Sequence, residues 1–231
     1  MRIDIWSDVV CPWCYIGKAR FDRAMSRLAE DFTNLSESVD ITYRAYQLDP
    51  TAPVGRPTPV RDVYARKFGG PERADAIFEQ MTATAAAEGI QFDFPRALRA
   101  NTSHAHRLLW WSQQQFGYAG QSRLKEYLMA AYFTHGRDVG DIETLTDIAV
   151  SALSDFSREG SREDSARAFL LSNLGIDQIQ ADIDEAAANG ITGVPTYVID
   201  EQWAIPGAQD SETFERVLRR SLERRTSDSR E

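Results

Sequence analysis

The chain contains two cysteines, and both stand in one run, Cys11-Pro12-Trp13-Cys14. Two thiols at that spacing can close a disulfide and open it again, so a redox-active dithiol is the first chemistry to consider. The segment ahead of them, Arg2 to Trp6, is short, apolar and β-rich, while Phe21, Met25, Leu28 and Phe32 behind them recur at helical spacing. The motif therefore falls where a strand hands over to a helix. Pro12 suits the first helical turn, where its missing N–H has no intrahelical partner to lose and its fixed φ fits the entry. Cys11 becomes the N-cap, with its sulfur facing unpaired backbone N–H groups and the positive end of the helix dipole. Both favour the thiolate, and in such settings a thiol pKa falls from about 8.5 into a window of roughly 3.5 to 7.5. Cys11 is thus expected to be the more exposed, more acidic, attacking thiol, and Cys14, on the same helical face, its resolving partner. Trp13 is expected at the surface beside the reactive sulfur, because turning inward would displace the helix entry.

Two plainer readings compete. A structural zinc site wants four ligands, and outside the motif only His104, His106 and His135 could add imidazole nitrogens. His104 and His106, two apart on a helix, point in different directions, so a shared metal is not expected and none is assigned. Two inert buried cysteines would leave Pro12 and the strand-to-helix junction as coincidences.

With 231 residues the chain can bury a full core, either as one large domain or as a domain carrying an inserted lobe. Its formal net charge of −9 argues against nucleic acid or an anionic membrane as the main partner. The basic run from Arg216 to Arg225 is interleaved with Glu223 and reads as a solvated helix face. Asp4 and Asp8 interrupt any apolar leader, and no stretch is long enough to span a bilayer. A cytoplasmic location is expected, and there a CxxC pair is catalytic or redox-sensing rather than a static staple.

The elements that must hold the motif follow from periodicity. Strands are predicted at Ile3 to Trp6, Val39 to Tyr46, Thr196 to Ile199 and Gln202 to Ile205, with the polar pair Asp200-Glu201 as the last turn. A helix from Pro12 to about Asp31 joins the first two as a βαβ unit. A final helix starts near Asp210 and buries Phe214, Val217, Leu218 and Leu222. Between the second and third strands no strand is predicted. A proline-rich loop, Asp49 to Pro59, leads into helical patterns at Pro71 to Glu88, Asn101 to Phe116, Gly120 to His135, Asp141 to Leu153, Ser161 to Leu174 and Ile176 to Asn189, with Ser161 and Asp164 spaced as a capping box. A crossover unit needs only about 30 residues, so the excess is an all-helical lobe inserted into a sheet domain. Trp110, Trp111 and Phe116 read as part of its core.

Chemistry at a CxxC pair needs a backbone surface on which a thiol or peptide substrate can lie. Gly193-Val194-Pro195-Thr196 is the best candidate, since Pro195 directly opens a strand and costs no ladder bond there. An ordinary trans proline at a strand start is the competing reading. In the lobe, Asn101 or Thr102 can N-cap a helix with one histidine packed inside, or Asn101 and His106 can face Cys11 and orient substrate or shuttle a proton.

Taken together, the chain resembles the DsbA family of thioredoxin-fold oxidoreductases, and in particular its FrnE-like branch. The likeness rests on Cys11-Pro12-Trp13-Cys14-Tyr15-Ile16-Gly17, on Asn101-Thr102-Ser103-His104-Ala105-His106-Arg107-Leu108, on Gly193-Val194-Pro195-Thr196 running into the third strand, and on Gly207-Ala208-Gln209 before the last helix. The resemblance implies an α/β thioredoxin fold, a four-stranded mixed sheet with a large all-helical insertion between the second and third strands. It divides the chain into a discontinuous thioredoxin domain, 1–58 and 191–231, and a lobe, 59–190. It also implies a cis peptide between Val194 and Pro195 packed on the disulfide, and thiol–disulfide exchange in which Cys11 forms a mixed disulfide that Cys14 resolves. Pro12, Trp13, Val194, Pro195, Asn101 and His106 would then bind substrate. No cofactor is expected beyond the redox-active disulfide, with glutathione open as a co-substrate, and the partner is a thiol or disulfide, protein or small. The sequence assigns no oligomeric state. The middle pair Pro12-Trp13 has no histidine to stabilise the Cys11 thiolate further. Two other readings stay open. One is a glutathione-dependent transferase or isomerase resembling the kappa class and the hydroxychromene-carboxylate isomerases, which generally carry serine at the position of Cys11. The other is a non-enzymatic zinc-binding or redox-sensing module.

Overall fold

The computed structural model describes residues 1–156 and 162–228. In chain order the elements are β1 (Arg2–Ser7), α1 (Pro12–Asp31), α2 (Leu35–Ser38), β2 (Asp40–Ala45), β3 (Thr58–Pro59), α3 (Val60–Phe68), α4 (Pro71–Ala87), β4 (Leu98–Arg99), α5 (Ser103–Phe133), α6 (Ile142–Ala152), α7 (Arg162–Leu171), α8 (Ile176–Ala188), β5 (Thr196–Ile199), β6 (Trp203–Pro206) and α9 (Ser211–Asp228).

Side-chain alternation decides the sheet. On β2 the apolar Ile41, Tyr43 and Ala45 point inward and Asp40, Thr42 and Arg44 outward. These inward residues pair in register with Ile3, Ile5 and Ser7 of the parallel strand β1. Antiparallel β5 and β6 complete a mixed four-stranded sheet in the order β2-β1-β5-β6. This is the thioredoxin-like sheet expected from the sequence, interrupted by a helical insertion between β2 and β5. The β5–β6 turn takes positive φ at Asp200 and Glu201, 49° and 58°, and shifts the last strand one residue beyond its predicted start.

Helix α1 is shared between two apolar clusters. Phe21, Ala24 and Leu28 pack with the sheet and with Phe214 and Leu218 of α9, whose N-terminus Asp210 caps by accepting the Thr213 N–H at 2.7 Å. Cys14, Tyr15 and Ile16, at the other end of α1, belong to the cluster of the helical lobe. The CxxC run thus lies where the two cores meet.

The lobe holds the sheet by its edge. β2 is an outer strand, and an unpaired strand edge is normally a liability. Here Gln121 of α5 brackets Tyr43, accepting its N–H at 2.8 Å and donating to its carbonyl at 3.0 Å. Asp182 of α8 accepts the Ala45 N–H at 3.0 Å and pairs with Arg44, also at 3.0 Å. Two side chains stand in for a missing strand, and they fix α5 and α8 in register with the site.

Some expectations are corrected. Helix α3 and the short antiparallel pair of β3 with β4 were read as loop or passed over. Among the described lobe residues, that pair adds strand where none was predicted. α3 buries only Val60, so it carries no apolar stripe to announce it. The two helices predicted on either side of residue 117 are continuous but for a break at Gly117, whose φ of 65° and ψ of −165° interrupt α5. Position 161 of the predicted capping box lies outside the described residues. Among the described residues, no helix is long and apolar enough to cross a membrane.

Candidate active site

Cys11 occupies the N-cap of α1 (φ −92°, ψ 115°), but its sulfur makes no capping bond. Its carbonyl accepts the N–H groups of Cys14 and Tyr15 at 3.1 and 3.3 Å, while Cys11 Sγ donates to the Val194 carbonyl at 3.6 Å. The Val194–Pro195 peptide is cis. Pro195 is buried, and its carbonyl accepts the Gly207 N–H at 2.7 Å. Chain segments far apart in sequence, 11–14 and 193–196, are thereby joined at one sulfur.

The expected contrast in exposure between the thiols is not found. Cys11 is 3% exposed and Cys14 2%, whereas Trp13 between them is 38% exposed. Val194 and Tyr64, the latter from the unforeseen α3, pack against the cluster that contains Cys11. The expected acidity is also reversed. The Cys11 thiol is pushed well up, first by its hydrogen bond with Cys14 and next by burial. Burial opposes a Cys14 thiolate too, yet the neighbouring Cys11 thiol and the charge of Lys125 outweigh it and bring Cys14 below the ordinary thiol range. Of the two, Cys11 is thereby held the weaker acid and Cys14 the stronger.

Gly17 explains itself here. A methyl group on it would come within 2.8 Å of the Tyr197 hydroxyl oxygen, 3.0 Å of Pro195 Cγ and 3.3 Å of Ala208 Cβ. Only glycine lets α1 approach the Pro195 turn so closely. Gly17→Ala is expected to cost about 1 to 2 kcal/mol through overpacking, and to push Pro195 away from the thiols. Thermal unfolding together with the alkylation rate of reduced protein checks this; unchanged stability and unchanged thiol reactivity would show that the contact is slack.

Of the two readings of Asn101 and His106, their polar bonds follow the capping and packed one rather than the one that faces Cys11. His106 is 2% exposed, and its Nε2 lies 3.1 Å from Oδ1 of the wholly buried Asp8. The other Asp8 oxygen accepts the Leu48 N–H at 2.8 Å, and the Asp8 carbonyl accepts the Cys11 N–H at 3.4 Å. His106 thus reaches the motif through Asp8, by fixing the loop between β1 and α1. Asn101 donates to the Ala52 carbonyl at 2.9 Å and accepts the Ser103 N–H at 3.0 Å, which pins the 49–59 loop to the start of α5. His104 Nδ1 lies 3.4 Å from the Gly140 carbonyl, away from His106's partner. Among the described residues, no group of three or more His, Cys, Asp or Glu side chains could hold a metal ion.

Sequence reading missed Asp8, Ser7 and Lys125. Asp8 sits three residues before Cys11, and its only local signal is a carboxylate at the end of an apolar strand. Lys125 lies in a helix whose polar residues read as solvent-facing until the packing is known.

A strand leading into a dithiol at a helix N-terminus, with a proline turn opposite, on a mixed sheet interrupted by helices, defines a thioredoxin-type redox fold. The chain belongs to the DSBA-like thioredoxin domain family, whose model matches residues 2–219. Among solved structures it is similar to the probable DsbA oxidoreductase SCO1869 from Streptomyces coelicolor, at 33% identity and a TM-score of 0.82, over 96% of this chain and 90% of that one. The cytosolic disulfide reductase DsbM from Pseudomonas aeruginosa with GSH aligns at 16% identity and a TM-score of 0.63, over 96% of this chain and 100% of that one. A 2-hydroxychromene-2-carboxylate isomerase aligns at 18% identity and a TM-score of 0.64, over 99% of this chain and 98% of that one. These last two likenesses show the fold alone.

Proposed function

We propose that the protein is a thiol–disulfide oxidoreductase in which Cys11 exchanges with substrate and Cys14 resolves, with glutathione as co-substrate and the cytoplasm as its compartment. The observation that carries this reading is the pair of buried thiols at the start of α1, with Cys11 Sγ turned to the Val194 carbonyl beside the cis Pro195. That carbonyl and the flanking backbone offer a bound peptide or glutathione a surface beside the sulfur. Trp13 and Leu48, both partly exposed, add apolar contact at the rim.

The relative acidity of the thiols sets the order of events. As a substrate disulfide reaches Cys11, the Cys14 thiolate takes the Cys11 proton, so that Cys14 acts as the local base. The Cys11 thiolate attacks one substrate sulfur, forms the mixed disulfide and releases the other as a thiolate, which collects the proton from Cys14. Cys14, again a thiolate, then attacks Cys11 Sγ and frees the second substrate thiolate. Two electrons have left the protein, and two glutathione thiols restore the dithiol as one oxidised glutathione. The reverse sequence oxidises substrate with the same parts.

The isomerase reading uses the same architecture but no second thiol. The second thiol, Cys14, buried in the same first turn of α1 as Cys11, favours the dithiol. A redox titration in glutathione buffers, quenched with acid and mapped by mass spectrometry, tests the proposal. A single two-electron transition between Cys11–Cys14 disulfide and dithiol is expected. Failure to form that intramolecular disulfide at any glutathione ratio would sink it.

A further inference from the structure

Gly207-Ala208-Gln209, between β6 and α9, lies directly against the turn that meets Cys11. The Gly207 N–H donates to the Pro195 carbonyl at 2.7 Å. A methyl group on Gly17 would stand 3.0 Å from Pro195 Cγ and 3.3 Å from Ala208 Cβ, so α1, Pro195 and Ala208 meet at one point. Inside the segment the bonds are short-range: the Gln209 N–H donates to the Gly207 carbonyl at 3.0 Å, and the Gln209 side-chain amide to the Pro206 carbonyl at 2.7 Å. Such bonds shape the segment without fixing where it sits.

Arg20 supplies the anchor. It lies on α1 one turn beyond Gly17, and its side chain is 20% exposed. One guanidinium nitrogen donates to the Ala208 carbonyl at 2.8 Å, while Nε donates to Glu88 at 2.6 Å. Glu88, at the end of α4 in the inserted lobe, also holds Arg23 at 2.9 Å. The planar fork lets one side chain hold a carbonyl and a carboxylate together. Among the described residues, Arg20 is the one side chain from another element that bonds residues 207–209. A line of contacts thus runs from Glu88 through Arg20 to Ala208, through the Gly207 N–H to Pro195, and across one peptide to Val194, whose carbonyl meets Cys11 Sγ at 3.6 Å.

We propose that Arg20 is a positioning residue for substrate: by tying the Ala208 carbonyl to Glu88 it holds residues 207–209 against Pro195 and so fixes the Val194 backbone beside Cys11, where a disulfide carrying peptide groups can lie. This rests on the oxidoreductase reading above and adds to it a residue that sets the substrate class. The bonds of Arg20 go to the turn and to the lobe, not to a sulfur. Its removal therefore slows substrates that use the turn and spares those that do not.

The probes are glutathione disulfide, whose peptide groups can pair with the Val194 backbone, and bis(2-hydroxyethyl) disulfide, which has none. Either takes two electrons from the reduced protein: Cys11 and Cys14 close a disulfide, and the reagent leaves as two thiols. Acid-quenched samples read by mass spectrometry give the two rate constants, and their ratio is the measure. Misplacing a positioned group by about 1 Å can cost about a hundredfold. Arg20→Met, which keeps an apolar stem and removes the donors, is expected to lower the ratio about tenfold, with the hydroxyethyl rate within about twofold of the unsubstituted protein. Arg20→Lys keeps the charge, and with it any attraction for anionic glutathione, but a lone ammonium does not reproduce the fork, and its ratio should fall about fivefold. If Arg20→Met does not fold, Arg20→Lys alone decides. An Arg20→Lys ratio within about twofold of the unsubstituted protein overturns the proposal, because charge rather than placement would then be at work. Equal falls with both disulfides also overturn it, by placing the effect on the thiols. If the unsubstituted dithiol reacts with neither disulfide, the oxidoreductase reading fails and the positioning role fails with it.

Discussion

Cys14→Ala protein is expected to accumulate mixed disulfides with glutathione or with protein thiols, whereas Cys11→Ala protein should accumulate none and lose disulfide exchange by about a thousandfold or more. Cys11 Sγ is the sulfur that meets the Val194 carbonyl, where a substrate chain can lie. Cys14, buried to the same degree, makes no such contact and feels the charge of Lys125. Removing Cys14 leaves the first exchange possible and the second impossible, so the intermediate persists. The same change removes the base that takes the Cys11 proton. Burial and the Asp8 charge still hold the Cys11 thiol up, so the thiolate fraction grows as pH rises. Capture by Cys14→Ala should accordingly quicken toward alkaline pH rather than level off near neutrality. Acid-quenched samples resolved by mass spectrometry give both results. Equal trapping by the two variants, or capture by Cys11→Ala alone, would reverse the assigned roles.

The reversal of acidity between the thiols shows where sequence reading stops. Local chemistry was legible: a strand, a proline at the first turn and a cysteine at the cap follow from residue types alone, and α1 spans Pro12–Asp31 as expected. The sheet was legible because Ile41, Tyr43 and Ala45 alternate and because Asp200-Glu201 marks the last turn. What the cap argument lacked was everything brought from a distance. A helix dipole favours a Cys11 thiolate, but Val194 arrives from the other end of the chain, and Tyr64 from a helix with a single buried residue. Val194 meets the sulfur and Tyr64 adds to the apolar cluster around it, so desolvation works against charge. Lys125 meanwhile acts on Cys14 from α5, the helix that the grip of Gln121 fixes to the edge of β2. Buried polar residues are the least legible part of a sequence, since nothing local distinguishes a lysine on a wet helix face from one under a sheet.

His106 is the clearest instance, and its removal carries the largest stability effect expected here. The Asp8 carboxylate is wholly buried and has two visible supports, the Leu48 N–H and the His106 ring. His106→Ala leaves one carboxylate oxygen without a partner in a site too enclosed for bulk water. Breaking such a buried pair from one side is expected to cost about 3 kcal/mol. For a protein of this size that corresponds to a fall in Tm of about 6 to 12 °C. His104→Ala, which loses only a long contact to the Gly140 carbonyl, should stay within about 0.5 kcal/mol and serves as the control. Because the Asp8 carbonyl also accepts the Cys11 N–H, the loosened loop should release the start of α1 and speed alkylation of the reduced thiols. His106→Asn, which can still offer an N–H to Asp8, should recover part of both effects. A His106→Ala protein that melts within 2 °C of the unsubstituted one, with unchanged thiol reactivity, would mean that Asp8 finds another donor and that the His106 contact does not fix the loop carrying the dithiol.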